Sequence, residues 1–571
     1  MYQGKRWLTM VVCLTLLVSG VMIPGTATFA KAKNLAPLSS VPVPLPPNLG
    51  DFVVDQQAAI RLGKALFWDQ QLGGDGTQAC ASCHFQAGAD VRSTNCMNPG
   101  ANGVFETCPV GATITADKFP VKTDDRVGSQ GVTDGNFLRL NLGSPFDFFK
   151  SLINLLFGTN RLVTGRNAPS AVNAIYYYRN FWDGRANNTF NGVDPFGPTN
   201  QETAFVYQVV NGKPIWVKIA VPNASLASQA CGPPNNPVEM AYAGRSFQQL
   251  GRKMLGLTPL GEQVVDPTDS VLGPLAANPT GLTTTYADMI KAAFHPEWWN
   301  YNKVVANGFK MMEANFSLYF GLAVMLYEST LVSDQTPLDK FLEGDTTALT
   351  RSQLIGMNVY TGKGKCAQCH GGAELSEATV SQTGGNPKTG FTNTGVRPLA
   401  EDGGDILQPG EAKFKAPTLR NVELNGPYFH NGGYATLRQT VDFYNRGGDF
   451  PNKFTDSDVR PLGLTLAEKK ALVNFMLAMT DERVRYERAP FDHPAMTLPN
   501  GTNLPAVGAA GGPAPLNTFL NLNPQQPNRP TWRTAFRSGT RCASFLHNVE
   551  LAAVASPAPG TAARRIISRE V

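Results

Sequence analysis

The chain is 571 residues long, with a net charge of +5 and only 16% charged residues. That length carries roughly three to four domains' worth of sequence, and the absence of any basic run excludes a nucleic-acid binder. The 56 glycines and 42 prolines imply that much of the chain is loop, as expected of polypeptide that wraps a bulky group.

Residues 1–30 carry a targeting pattern. Lys5 and Arg6 precede an apolar run from Trp7 to about Met22, and small residues end near Ala27 or Ala30. This reads as a secretory signal, which places the protein in the periplasm. The run is short for a retained anchor, and no later stretch is long and apolar enough to cross a bilayer, so no membrane span is expected once the signal is removed. A Pro-rich arm covers 31–50. Asp55 to Phe67 then reads as an amphipathic helix, with Ile60, Leu62, Leu66 and Phe67 among its apolar positions.

The turn at 73–76 delivers the chain to Cys80-Ala81-Ser82-Cys83-His84, which recurs as Cys366-Ala367-Gln368-Cys369-His370. C-x-x-C-H is the attachment pattern of c-type haem. Two thiols at this spacing each form a thioether to one vinyl group, and the histidine then lies under the iron. A zinc site needs two further ligands at similar spacing, and the chain has no third Cys/His cluster. Two covalently bound haem c groups are therefore expected, on Cys80, Cys83 and His84 and on Cys366, Cys369 and His370. Of the nine cysteines, Cys13 lies in the signal, and Cys96, Cys108, Cys231 and Cys542 remain, an even number in an oxidising compartment. Cys96 with Cys108 reads as a loop staple, and Cys231 with Cys542 is the other pairing.

Residues 85–160 are polar and Gly-rich, with no periodic pattern before the apolar run Phe148 to Phe157. Ala204–Val210 and Ile215–Val221 flank Asn211-Gly212 as a β-hairpin. Tyr286 to Phe294 is helix-like, and Asn307 to Ser333 reads as one long helix. Its Met311, Met312 and Met325 are core residues rather than iron ligands. Thr350 with Gln353, Thr436 with Gln439 and Thr465 with Glu468 form capping boxes. Gly447-Gly448 stops the second of these helices, and the third runs to about Met479. From 491 to 571 the chain reads as an irregular tail, anchored by Cys542.

Several motifs together carry a resemblance. Arg166-Asn167-Ala168-Pro169-Ser170, Phe181-Trp182-Asp183-Gly184-Arg185-Ala186 and Asn236-Pro237-Val238-Glu239-Met240 occur in order. Phe414-Lys415-Ala416-Pro417-Thr418-Leu419-Arg420-Asn421 and Pro427-Tyr428-Phe429-His430 follow. Over residues 50–490 the chain resembles the bacterial dihaem cytochrome c peroxidases and their relative MauG, which matures methylamine dehydrogenase. The resemblance implies a mainly α fold of two cytochrome c-like haem domains, 51–335 (peroxidatic) and 336–490, with long loops and a small β-hairpin. Insertions at 187–227 and 245–299 depart from the family pattern and are expected to shape a docking surface or to cover a haem edge.

The resemblance also implies roles. Glu239 matches the distal glutamate, and Gln229 lies ten residues before it, the family spacing. A carboxylate in a partly apolar pocket shuttles a proton between peroxide oxygens, and the amide positions peroxide and water. Classical members carry a second histidine after the first motif that blocks the iron, but here no histidine lies between His84 and His295. The first haem thus reads as open on its distal face, with a Met, Lys or water as the alternative occupant. Fourteen residues after His430, where the family usually has methionine, stands Tyr444. MauG shares that tyrosine, and a phenolate favours ferric and higher states; His430 itself is the other ligand candidate. Trp182 falls on the tryptophan between the haems. Asn167, Asn425 and Pro427 fall on the positions that hold a Ca²⁺ between the domains.

The function implied is reduction of hydrogen peroxide with electrons from a small redox protein, a cytochrome c or a cupredoxin. Two alternatives stand beside it: MauG-like oxidation of Trp or Tyr on a partner protein, and simple electron transfer.

Overall fold

The computed structural model describes residues 35–513 apart from Gln201 and Asp402, all within one compact unit, Met1–Leu522. The signal, Cys542 and most of the tail lie outside the described residues. The fold is mainly helical with small two-stranded antiparallel ladders. Among the described residues, no helix is long and apolar enough to cross a membrane.

Helix α1, Gln56–Trp68, starts where Asp55 accepts the N–H groups of Gln57 and Ala58 at 2.8 and 3.0 Å, satisfying two otherwise orphaned donors. The strands that follow are β1 (Gln130–Thr133), β2 (Gly135–Arg139), β3 (Phe148–Ser151) and β4 (Arg161–Val163). β1 pairs with β4 and β2 with β3, both antiparallel. The region that lacks periodicity in sequence is thus partly strand, because its pairing is set by partners across intervening loops rather than by a local repeat. β5 (Val206–Val210) and β6 (Lys213–Val217) form the hairpin expected around Asn211-Gly212. Both turn residues have positive φ, 51° and 74°, as a two-residue hairpin turn requires.

Helices α2 (Ser225–Ala230) and α3 (Phe316–Glu328) complete the first core. Every residue of α3 is buried, so it is a central helix with no polar face. The single helix expected over 307–333 is not formed. Residues 304–306 and 309–310 pair as strands, Met311–Ala314 is a short helix, and the chain breaks at Asn315. The side chain of Asn315 bonds both backbone groups of Tyr207 at 2.7 Å and the carbonyl of Trp298 at 2.8 Å, which pins the break to the 187–227 segment. Met311 and Met325 are fully buried, and Met325 belongs to the first core.

The second half repeats the plan. α4 (Arg351–Thr361), α5 (Leu437–Arg446) and α6 (Leu466–Leu477) each begin with the expected capping box, and α5 ends at Gly447 with φ of 86°. A separate apolar cluster, with members from Leu338 to Met479, lies between them. The N-terminal arm joins the halves: Leu38 is buried in the first core while its N–H donates to Asp339 at 3.0 Å. Residues 491–513 lack helix and pack Met496 and Leu498 on the first core.

Cys96 and Cys108 do not form the expected staple. Both are buried free thiols, and Cys96 Sγ instead lies 3.2 Å from the Ser93 carbonyl. Cys231 is also free, with Sγ 3.4 Å from the Ser317 carbonyl deep in the first core. Its expected partner, Cys542, lies outside the described residues.

Each core turns on one glycine. A Cβ on Gly63 of α1 would sit 1.9 Å from the Ala323 carbonyl oxygen of α3, and one on Gly356 of α4 would sit 2.0 Å from that of Ala471 on α6. Backbone meets backbone at both crossings, so no rotamer relieves the clash. Replacing Gly63 or Gly356 by alanine is expected to cost at least the ~1–3 kcal/mol of an overpacked core. Gly50→Ala, where nothing lies within 4 Å, is expected to be silent. Thermal unfolding of the three variants checks this.

Candidate active site

The first C-x-x-C-H opens on a cavity of about 460 Å³ lined by Cys80, Cys83, His84, Trp182, Gln229 and Glu239, with Arg185, Glu328 and Lys415 among the other walls. His84 Nδ1 lies 2.9 Å from the Gly88 carbonyl. A carbonyl only accepts, so Nδ1 carries the proton and Nε2 keeps its lone pair. Burial lowers the pKa of His84, which holds the ring neutral, the state an iron ligand needs.

The second motif repeats this arrangement. A cavity of about 220 Å³ is lined by Cys366, Cys369, His370, Tyr428, His430 and Tyr444. His370 Nδ1 lies 2.9 Å from the Pro417 carbonyl, and burial pushes the ring's pKa down to about 4. Tyr360 Oη donates to the His370 carbonyl at 2.5 Å and fixes the motif's backbone. Burial also raises the Tyr444 phenol well above its ordinary value. His430 stacks on Phe414 at 3.6 Å and meets Trp182 edge-on at 6.2 Å.

The two cavities share a wall. Asn167 to Ser170, Trp182 and Lys415 line both. Trp182 Nε1 donates to the Asn167 carbonyl at 2.8 Å, and Lys415 N–H donates to the Trp182 carbonyl at 2.9 Å. The wall is therefore built by hydrogen bonds, one from the indole and one from the backbone, that tie together separate motifs.

Gln229 sits on α2, and Glu239 on a turn shaped by Asn236. Its side chain accepts from Val238 N at 2.8 Å, and its carbonyl accepts from Glu239, Met240 and Ala241. Burial raises the Glu239 pKa, and the Arg185 guanidinium opposes this. Arg185 in turn pairs with Asp183 at 2.8 Å, which also pairs with Arg166 at 2.7 Å.

The structure thus brings Glu239, Gln229, Trp182 and the first motif to one cavity, and Tyr444 and the second motif to the other. Asn167, Asn425 and Pro427 all line the second cavity, and Asn425 Oδ1 is buried with no hydrogen-bond partner among the described residues. Sequence reading did not single out Arg185, Glu328 or Lys415. Arg185 and Lys415 stand inside motifs that it did recognise. Glu328, whose pKa burial pushes up to about 8, had no signal beyond its place at the end of an apolar run.

Two thiols beside a histidine whose free nitrogen is Nε2, twice over and in two cavities, is the donor set of covalently bound haem, and the residues fit the group. Such a constellation defines a dihaem c-type redox protein. The profile of the family described as di-haem cytochrome c peroxidase matches residues 57–347. The chain belongs to this family, and it is an oxidoreductase of the cytochrome-c peroxidase class. It is 36% identical over 200 residues to the cytochrome-c peroxidase IdrP2 of Denitromonas iodatirespirans, covering 30% of this chain and 50% of that one. It is 24% identical over 515 residues to IdrP1 of Pseudomonas sp. strain SCT, covering 85% and 95%. It is 26% identical over 187 residues to the methylamine utilization protein MauG of Methylorubrum extorquens, covering 32% and 50%.

The Glu239 turn is held against β1 by another close approach. A Cβ on Gly131 would lie 1.9 Å from the Val238 carbonyl oxygen and 2.4 Å from that of Glu239. Gly131→Ala must push the turn away from the cavity. It is expected to leave both haems attached while lowering peroxide turnover by about 100-fold, the cost of an ångström-scale misplacement. Haem content and steady-state kinetics check this.

Proposed function

We propose that this chain is an exported, periplasmic dihaem peroxidase that reduces hydrogen peroxide in the His84 cavity, with electrons arriving from a small cytochrome c or cupredoxin by way of the second cavity. The observation that carries the reading is that Glu239 and Gln229 line the same cavity as His84, while no second histidine among the described residues lines it. Haem bound at His84 and His370 would supply the two-electron redox chemistry.

The chain's own residues would do the rest. Glu239, in its carboxylate form, takes the proton from the near oxygen of hydrogen peroxide and returns it to the departing oxygen. Burial holds its pKa above the ordinary carboxylate range, which makes that proton easier to keep and to pass on. Gln229 orients peroxide and water by hydrogen bonding. Trp182, in the shared wall, offers an indole for electron passage between the cavities. Tyr444, which lines the second cavity with His370, would supply a phenol oxygen to a haem held there, and a phenolate's preference for ferric iron would lower its potential. Asn167 through its side chain, and Asn425 and Pro427 through their backbone carbonyls, would hold Ca²⁺ beside the second cavity that all three line.

Tyr444 also favours a second reading, the MauG-like oxidation of a Trp or Tyr on a partner protein, because a haem held toward higher oxidation states stores oxidising equivalents. EPR of the diferric protein before and after one equivalent of peroxide tests both readings against simple electron transfer. One high-spin and one low-spin signal, both lost without prior reduction, supports peroxide chemistry. Two low-spin signals indifferent to peroxide would overturn it.

Glu239→Gln is expected to abolish peroxide reduction with both haems still attached. In the wild type, the rate of reaction with peroxide should rise with pH as Glu239 ionises, through a midpoint above that of an ordinary glutamate. A pH profile that keeps this limb in the glutamine variant would assign it elsewhere. Tyr444→Met is expected to raise the midpoint potential of the second haem, read by spectroelectrochemical titration.

A further inference from the structure

Among the described residues seven lysines and arginines are buried: Lys64, Arg92, Arg179, Arg245, Lys253, Lys415 and Arg420. Six of them hold a carboxylate within 3.2 Å, as in Lys64–Asp269 and Arg420–Asp339 at 2.8 Å. The exception is Lys415. It is 3% exposed, and its ammonium donates only to the side-chain oxygen of Asn180, at 3.2 Å. It also stands 3.5 Å from the centre of the Tyr177 ring. Both partners are neutral. No carboxylate among the described residues lies within ion-pair reach of it.

An unpaired buried charge is costly, and proteins avoid it by supplying a partner or by giving up the charge. Burial brings its pKa down to about 7, with Arg179 adding to this by repelling the ammonium and Asp183 opposing it. An amine whose charged form has no carboxylate partner among the described residues thus stands in the wall that both cavities share. Haem brings the missing anions, because each macrocycle carries two propionate carboxylates.

We propose that Lys415 is the positioning residue that holds haem carboxylate at the shared wall, and that its charge sets the potentials of both haems together. This rests on the reading that both cavities hold haem. A positive charge near the two irons disfavours their ferric states, so its loss lowers both midpoints.

The test uses the full-length holoprotein. Lys415→Met is prepared beside wild type, haem is counted per chain, and both midpoints are measured by spectroelectrochemistry. Two haems with both midpoints shifted to lower potential is the expected result. Two haems with both midpoints unchanged, or only one moved, overturns the proposal. Should the methionine variant lose haem, Lys415→Arg keeps the charge but changes its reach. Altered propionate bands of both haems in its resonance Raman spectrum then support the proposal, and unaltered bands overturn it. Fewer than two haems in wild type would instead defeat the dihaem reading itself.

Discussion

A short seam of hydrogen bonds holds the two cavities in one relation. The Asn167 N–H donates to the His430 carbonyl at 2.8 Å, Trp182 Nε1 donates to the Asn167 carbonyl at 2.8 Å, and the Lys415 N–H donates to the Trp182 carbonyl at 2.9 Å. Four segments, separated by up to some 250 residues of chain, meet there. Buried backbone groups must be paired, so a shift in one segment breaks bonds in the others. The position of Trp182 in the shared wall follows from this pairing together with its packing on Ala412 and Phe414.

Around that seam the electrostatics differ on the two sides. The first cavity holds two carboxyls, Glu239 and Glu328, whose burial favours the protonated form, beside the Arg166–Asp183–Arg185 ion-pair cluster. The second is lined mainly by aromatic and aliphatic side chains, with Tyr444 and Tyr428 facing the motif. Under the proposed function, proton handling falls to the first cavity and a hard oxygen ligand to the second, a division that suits peroxide reduction at one centre with electrons drawn through the other.

Both halves achieve the required closeness through glycine. Gly63 and Gly356 let helices touch at their backbones, and Gly131 lets β1 touch the Glu239 turn. Interiors pack near crystal density, so even one methyl group at these points has nowhere to go. The Glu239 turn and the two cores are thus set by the same steric rule.

Much of this was legible in the residues. C-x-x-C-H, the capping boxes at Thr350, Thr436 and Thr465, and the hairpin at Asn211-Gly212 are local patterns whose geometry follows from a few consecutive residues, and they appear where the spacing puts them. The readings that failed were those that depended on distant partners. The 307–333 helix breaks because Asn315 serves Tyr207, the 85–160 region contains strands paired across long loops, and Cys96 and Cys108 remain separate thiols. By itself the sequence determined which chemistry the chain carries, because ligand type and spacing are local. Only the tertiary structure decided that Lys415 and Trp182 stand in a wall common to both cavities, because that proximity is made by hydrogen bonds between segments with no shared local signal.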